Sequence, residues 1–201
     1  GPAIIQALMQ HDHYSQHLQL RKNKQSVMIG YSDSNKDSGI ASARWALQKS
    51  QIALAKTAAQ HDIKLFLFHG RGGTISRGGG KTHTAVLGSP PGTINGYLRV
   101  TEQGEIINEK YGLRGIALRT LEQASASVLF ATAAPDHQKQ EIPEWQSIMQ
   151  IIADHSQKKY QQLVHDTPEF YEYFREATPI DLIEKMRIGS RPSSRSNINN
   201  F

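Results

Sequence analysis

The segment FHGRGGTISRGGG, residues 68–80, holds two arginines, Arg71 and Arg77, among six glycines, directly after the apolar run LFLF. Glycine lets backbone N–H groups approach an oxyanion closely. A guanidinium offers a planar fork that fits phosphate or carboxylate with two hydrogen bonds. Together they read as an anion clamp on a loop able to close over a substrate. The spacing is not that of a P-loop, because no Gly-Lys-Ser/Thr follows. The competing reading is a solvated RGG-type segment that binds nucleic acid. A single short copy set between folded elements weakens that reading.

Two further stretches carry chemistry. In SDSNKD, residues 32–37, Asp33 or Asp37 could offer oxygen to Mg²⁺ or Mn²⁺, and Lys36 could pair with a substrate charge. The same residue types also serve as plain caps of a helix N-terminus. In GSRPSSR, residues 189–195, Arg191 is a third cationic group. His69 closes the LFLF run, where it is either a satisfied structural histidine or a proton-transfer or oxyanion group.

These stretches need elements to hold them. SVMIGYS (26–32) and KLFLFH (64–69) have the short apolar cores of buried strands. The spacing predicts a long helix over 40–61, with Ala43, Leu47, Ile52, Ala55 and Ala59 on its apolar side. Strand, loop, helix and strand make a βαβ unit, so the sheet is expected to be parallel. Both loops then leave the C-terminal strand edge, where parallel α/β proteins gather their sites. The run MRI would bring Arg191 to the same mouth. Elsewhere the pattern predicts a short helix within 3–20, a short helix at 82–87, and turns over 89–96. It further predicts a hairpin over 97–112 turning at Gln103-Gly104, and helices over 114–134, 143–165 and 167–178. In the last, Thr167 is expected as N-cap, and Phe170, Tyr173 and Phe174 as core.

The 201 residues are enough for one domain with a real core. The net charge of +5 suits an anionic metabolite, nucleic acid or an acidic surface. No dense Lys/Arg run singles out nucleic acid. The chain has no cysteine, which excludes disulfides and Cys-ligated zinc. No run approaches the roughly 18 apolar residues of a membrane span. The opening Gly1-Pro2 reads as the remnant of a cleaved tag, no signal peptide is seen, and a cytoplasmic location is the expectation.

Side by side, VMIGYSDSNKDSG, LFLFHGRGGTISRGGG, LRVTEQGEII, EYFREATP and IGSRP resemble the phosphoenolpyruvate carboxylase family, in its order and at its spacing. The resemblance runs from about residue 26 to 195. It leaves 1–25 as a poorly matched extension and 192–201 as a polar tail. It implies an internal piece of the C-terminal half of a longer enzyme: α/β, helix-rich, and part of a (β/α)₈ TIM-type barrel. It further implies carboxylation of phosphoenolpyruvate by bicarbonate to oxaloacetate and phosphate, with Mg²⁺ or Mn²⁺.

By the same resemblance Asp33 matches a metal ligand, and Lys36 a lysine beside the substrate. His69 matches a histidine of the carboxylation step. Arg71 and Arg77 match anion-holding arginines, with Gly78 and Gly79 on the same loop, and Arg191 matches a substrate-binding arginine. Arg77 also matches the residue that holds aspartate or malate in inhibited forms. Homotetramers are expected of the family, and neither a membrane nor nucleic acid is an expected partner. A second acidic metal ligand and an N-terminal catalytic histidine have no counterpart here, so the chain alone is expected to have little or no turnover. The alternative is a short paralogue that binds phosphoenolpyruvate or an acidic metabolite without converting it.

Overall fold

A computed structural model describes residues 1–30, 32–70, 81–102, 104–134 and 143–186. Its centre is a parallel sheet in the order β1-β2-β3, formed by β1 (Lys24–Gly30), β2 (Lys64–Gly70) and β3 (Arg99–Val100). Helix α3 (Ser32–Gln60) carries the chain from β1 to β2. Parallel neighbours require such a crossover, so the expected βαβ unit is present.

Leu65 and Leu67 alternate onto one face of β2. With Ile29 of β1 they pack on Leu54 and Ala58 of α3. Ile5 of α1 (Pro2–Met9) and Leu47 border this cluster. The buried line on α3 runs through Ala43, Leu47, Gln51, Leu54 and Ala58. The anticipated line through Ile52, Ala55 and Ala59 sits one residue away, and Ala59 is exposed. The offset arises because a core position is held by Gln51. Its side-chain amide donates to the Leu47 carbonyl at 3.3 Å, which lowers the cost of burying it. The N-terminal stretch forms two helices instead of one, α1 and α2 (Asp12–Leu20), separated by a turn at Gln10-His11.

A second cluster joins Val86 of α4 (Thr82–Leu87), Ile94 and Ala131 of α6 (Arg114–Ala133). The turn over 89–96 is tied to α6, where the Gly96 N–H donates to Thr132 Oγ1 at 2.9 Å.

The expected hairpin over 97–112 is not formed. β3 has two residues and pairs in parallel with β2, and Gly104–Tyr111 is helix α5. The sequence after Gly104 lacks the alternation of a strand, since Ile106 and Ile107 are adjacent.

Helix α7 (Pro143–Val164) packs along α3 and is followed by α8 (Glu169–Ala177) and α9 (Ile180–Lys185). Pro168, not Thr167, occupies the N-cap position of α8. The Thr167 hydroxyl instead donates to the Gln162 carbonyl at 2.7 Å. No residue of α8 is buried, so its aromatics do not form core within this chain. Helix α9 was not anticipated. The MRI strand falls mostly outside the described residues. Among the described residues no helix is long and apolar enough to cross a membrane.

Candidate functional site at the strand edge

The register decides what can meet here. Lys24 lies opposite Lys64, Ile29 opposite His69, and Gly30 opposite Gly70. Both strands therefore end level, at Gly30 and Gly70. β3 reaches the same edge, with Val100 opposite His69 and the Thr101 N–H donating to the His69 carbonyl at 2.9 Å. Gly70 is required by close approach. A Cβ there would stand 3.1 Å from the Ile29 carbonyl oxygen and 3.1 Å from Met28 Cε.

The expected site residues are placed unevenly. Asp33 lies by its backbone in the first turn of α3, just past β1. Its side chain, and Arg71, Arg77, Gly78, Gly79 and Arg191, lie outside the described part. Lys36 and Asp37 are exposed on the short helical segment before Gly39. His69 is 4% exposed, with Nε2 fully buried. Its ring borders a cavity of about 20 Å³ lined also by Thr82, Val86, Ser89 and Val100, which has room for about one water. The histidine is thus seated between the strand edge and α4.

Two residues not singled out in the sequence share this edge. The Arg99 guanidinium lies over the Phe68 ring at 4.3 Å, a cation–π contact that fixes its direction. Glu102 follows β3 by two residues. It is held by Lys110 of α5 at 2.6 Å, with the Tyr111 phenol beside it. Partial burial pushes the Tyr111 phenol above its ordinary 10.0, and the negative charge and hydrogen bond of Glu102 add to the rise. The signal for Glu102 was available. Had YLRV been taken as a third parallel strand, the following TE would have fallen on the same edge.

Among the described residues no cluster of three or more His, Asp or Glu side chains could hold a metal ion. The described donors therefore do not make a metal centre by themselves.

Level parallel strand ends, with helices carrying the chain between and away from them, define a helix-rich α/β segment. The family model described as phosphoenolpyruvate carboxylase matches residues 1–201. The phosphoenolpyruvate carboxylase of Xanthomonas euvesicatoria pv. vesicatoria is 49% identical over 195 residues, covering 97% of this chain and 22% of that protein. That of Ralstonia nicotianae is 44% identical over 196 residues, covering 97% and 20%. Phosphoenolpyruvate carboxylase 1 of Chlamydomonas reinhardtii is 45% identical over 195 residues, with the same coverage, 97% and 20%. The chain belongs to the phosphoenolpyruvate carboxylase family, and it spans about a fifth of the length of these relatives.

Proposed function

We propose that this chain is part of the catalytic region of a phosphoenolpyruvate carboxylase, within a (β/α)₈ barrel completed by the rest of the enzyme. The observation that carries the reading is the level ending of β1 and β2, with Gly30 opposite Gly70, in a chain of this family. In sequence, the Asp33/Lys36 segment follows β1 and the Arg71/Arg77 segment follows β2. Phosphoenolpyruvate brings a phosphate and a carboxylate, and its carboxylation passes through an enolate. Each of these charges calls for fixed cations in a site closed to water. Lys36, Arg71, Arg77 and Arg191 supply cations, with Gly78 and Gly79 offering backbone N–H groups. His69 serves the carboxylation step. Arg77 doubles as the grip for an aspartate or malate inhibitor.

Mg²⁺ or Mn²⁺ would stabilise charge on the enolate and phosphoryl oxygens when bound. Asp33 is one ligand, and further carboxylates come from elsewhere in the full-length protein. An incomplete, less preorganised set binds weakly. The isolated chain is therefore inactive, the working enzyme is a cytoplasmic homotetramer, and its product feeds the tricarboxylic acid cycle.

The test compares oxaloacetate formation, in a coupled assay, by the full-length protein, its Arg71→Met variant and the 201-residue chain. Activity in the full-length protein alone is expected. Normal turnover by the short chain, or an unimpaired Arg71→Met enzyme, overturns the reading.

A further inference from the structure

The segment bearing Asp33 and Lys36 is separated from the body of α3 by a break at Gly39, whose φ of 72° and ψ of 166° lie in a region essentially closed to residues with a side chain. Gly39 is buried. A Cβ there would stand 3.1–3.3 Å from Cγ, Cβ and Cδ2 of Tyr160 on α7. Of these, Cβ at 3.2 Å is fixed by the backbone of α7, so no change of tyrosine rotamer would clear it. The ring and the glycine therefore fit each other at van der Waals distance.

Helix α7 also holds the chain on both sides of the break. Before it, Gln161 Nε2 donates to the Asp37 carbonyl at 3.3 Å. After it, Ser42 Oγ donates to Gln157 Oε1 at 3.4 Å. Within the segment, Ser38 Oγ donates to the Ser34 carbonyl at 2.8 Å and closes the turn on itself. Two turns further along α3, Trp45 Nε1 and Lys49 Nζ both donate to Gln150 Oε1, at 2.8 and 2.6 Å. The contact at Gly39 is thus one end of a continuous α3–α7 interface whose other end is remote from the strand edge.

We propose that Tyr160 and Gln161 are positioning residues for the carboxylase site. They clamp the Gly39 break and so set the direction in which residues 32–38 present Asp33 and Lys36. The inference rests on the carboxylase reading for its link to catalysis, whereas the clamp itself rests on the Gly39–Tyr160 geometry. Only the ring is needed for that contact, so the tyrosine hydroxyl plays no part in it.

The experiment uses the full-length enzyme with Tyr160→Ala, Tyr160→Phe, Gln161→Leu and, as a control at the far end of the interface, Gln150→Leu. Tyr160→Ala is expected to lower kcat/KM for phosphoenolpyruvate by about a hundredfold, the loss an ångström-scale misplacement can bring. It should also speed amide hydrogen exchange across residues 34–38. Tyr160→Phe should restore both readouts, and Gln150→Leu should lower Tm while leaving both unchanged. If Tyr160→Ala matches Gln150→Leu in kinetics and local exchange at equal loss of Tm, α7 merely packs and the proposal fails. Should Tyr160→Ala not fold, Gln161→Leu decides. Faster exchange over 34–38 at unchanged Tm supports the clamp, and unchanged exchange overturns it. A wild-type protein that makes no oxaloacetate removes the carboxylase reading and with it the catalytic role, while the exchange comparison still decides the clamp.

Discussion

Leu67 of β2 is 3% exposed, whereas Tyr173 and Phe174 of α8 are 66% and 42% exposed. Both regions spend large apolar side chains, yet only the first encloses them. The sheet has its cover within the chain, because α3 returns over β1 and β2 and places Leu54 and Ala58 on Leu65 and Leu67. Among the described residues, the outer helices lack such cover on these faces. Trp145, Ile148 and Ile152 of α7 also stand open. Burying one such side chain contributes about 1.5–3 kcal/mol, and a stripe of them left in water forgoes that several times over. The chain spans about a fifth of its relatives' length, so the full-length protein is where cover for these faces is to be sought.

The largest expected effect separates the two regions directly. Leu67→Ala in the 201-residue chain should cost about 2–5 kcal/mol, the range for a buried leucine whose site cannot fully collapse. Phe174→Ala in the same chain should stay within about 0.5 kcal/mol, as surface changes do. Urea denaturation of both variants measures this. In the full-length enzyme the Phe174→Ala cost should rise toward that of Leu67→Ala. Equal costs in the short chain would break the comparison. An unchanged small cost in the full-length enzyme would show that α8 faces solvent there too.

Polar contacts repeat the contrast on a smaller scale. Gln150 Oε1 accepts from both Trp45 and Lys49 where α7 meets α3, and the Trp45 bond is partly buried. Gln150→Leu leaves the indole N–H without this acceptor and should cost about 1–3 kcal/mol. Arg175 and Asp181 form a 3.2 Å pair on the outer helices, with side chains 46% and 77% exposed. Asp181→Asn should cost at most about 1 kcal/mol, and salt should erase the difference. Denaturation at low and high salt ranks the two. A larger loss for Asp181→Asn would mean that α8 and α9 are held more firmly than their exposure implies.

The same division governs what was legible in the sequence. VMIG and LFLF could be read as strands because a parallel sheet covered by its own crossover leaves a nearly continuous apolar run. Their parallel pairing then followed from the helix between them. Phe170, Tyr173 and Phe174 carry an equally clear helical spacing, and the helix is there. Periodicity says which face is apolar and not what covers it, so the inference to core failed. The third strand was read as the first arm of a hairpin because two residues, Arg99 and Val100, are too few to show which neighbour they pair with. Pairing it wrongly also hid Glu102. The Gly39 break lay within a stretch read as a turn, and its role depends on Tyr160, 121 positions away, which no local pattern connects to it. Of the site itself, the sequence showed residue types, and the register of β1 and β2 shows why two of its segments start together.

The smallest effect tests the edge between the regions, where the Tyr111 phenol of α5 lies beside Glu102 after β3. Partial burial, with the adjacent carboxylate, raises the phenol's pKa above 10.0 in the folded chain. The folded state thus holds this proton more tightly than the unfolded state does. The contribution is fully present below about pH 10 and is lost as pH rises through the raised folded value. Tyr111→Phe removes it at every pH. The stability gap between wild type and Tyr111→Phe should therefore be constant at neutral pH and narrow in strong alkali. Tyrosinate absorbance reads the phenol directly, since Lys110 is silent there, and the wild type should show a late-titrating component that the variant lacks. A gap that stays constant through the tyrosine range would mean that Glu102 and Tyr111 do not interact. The carboxylate would then be held at the strand edge by Lys110 alone, and α5 would belong with the loosely held outer helices, not with the sheet.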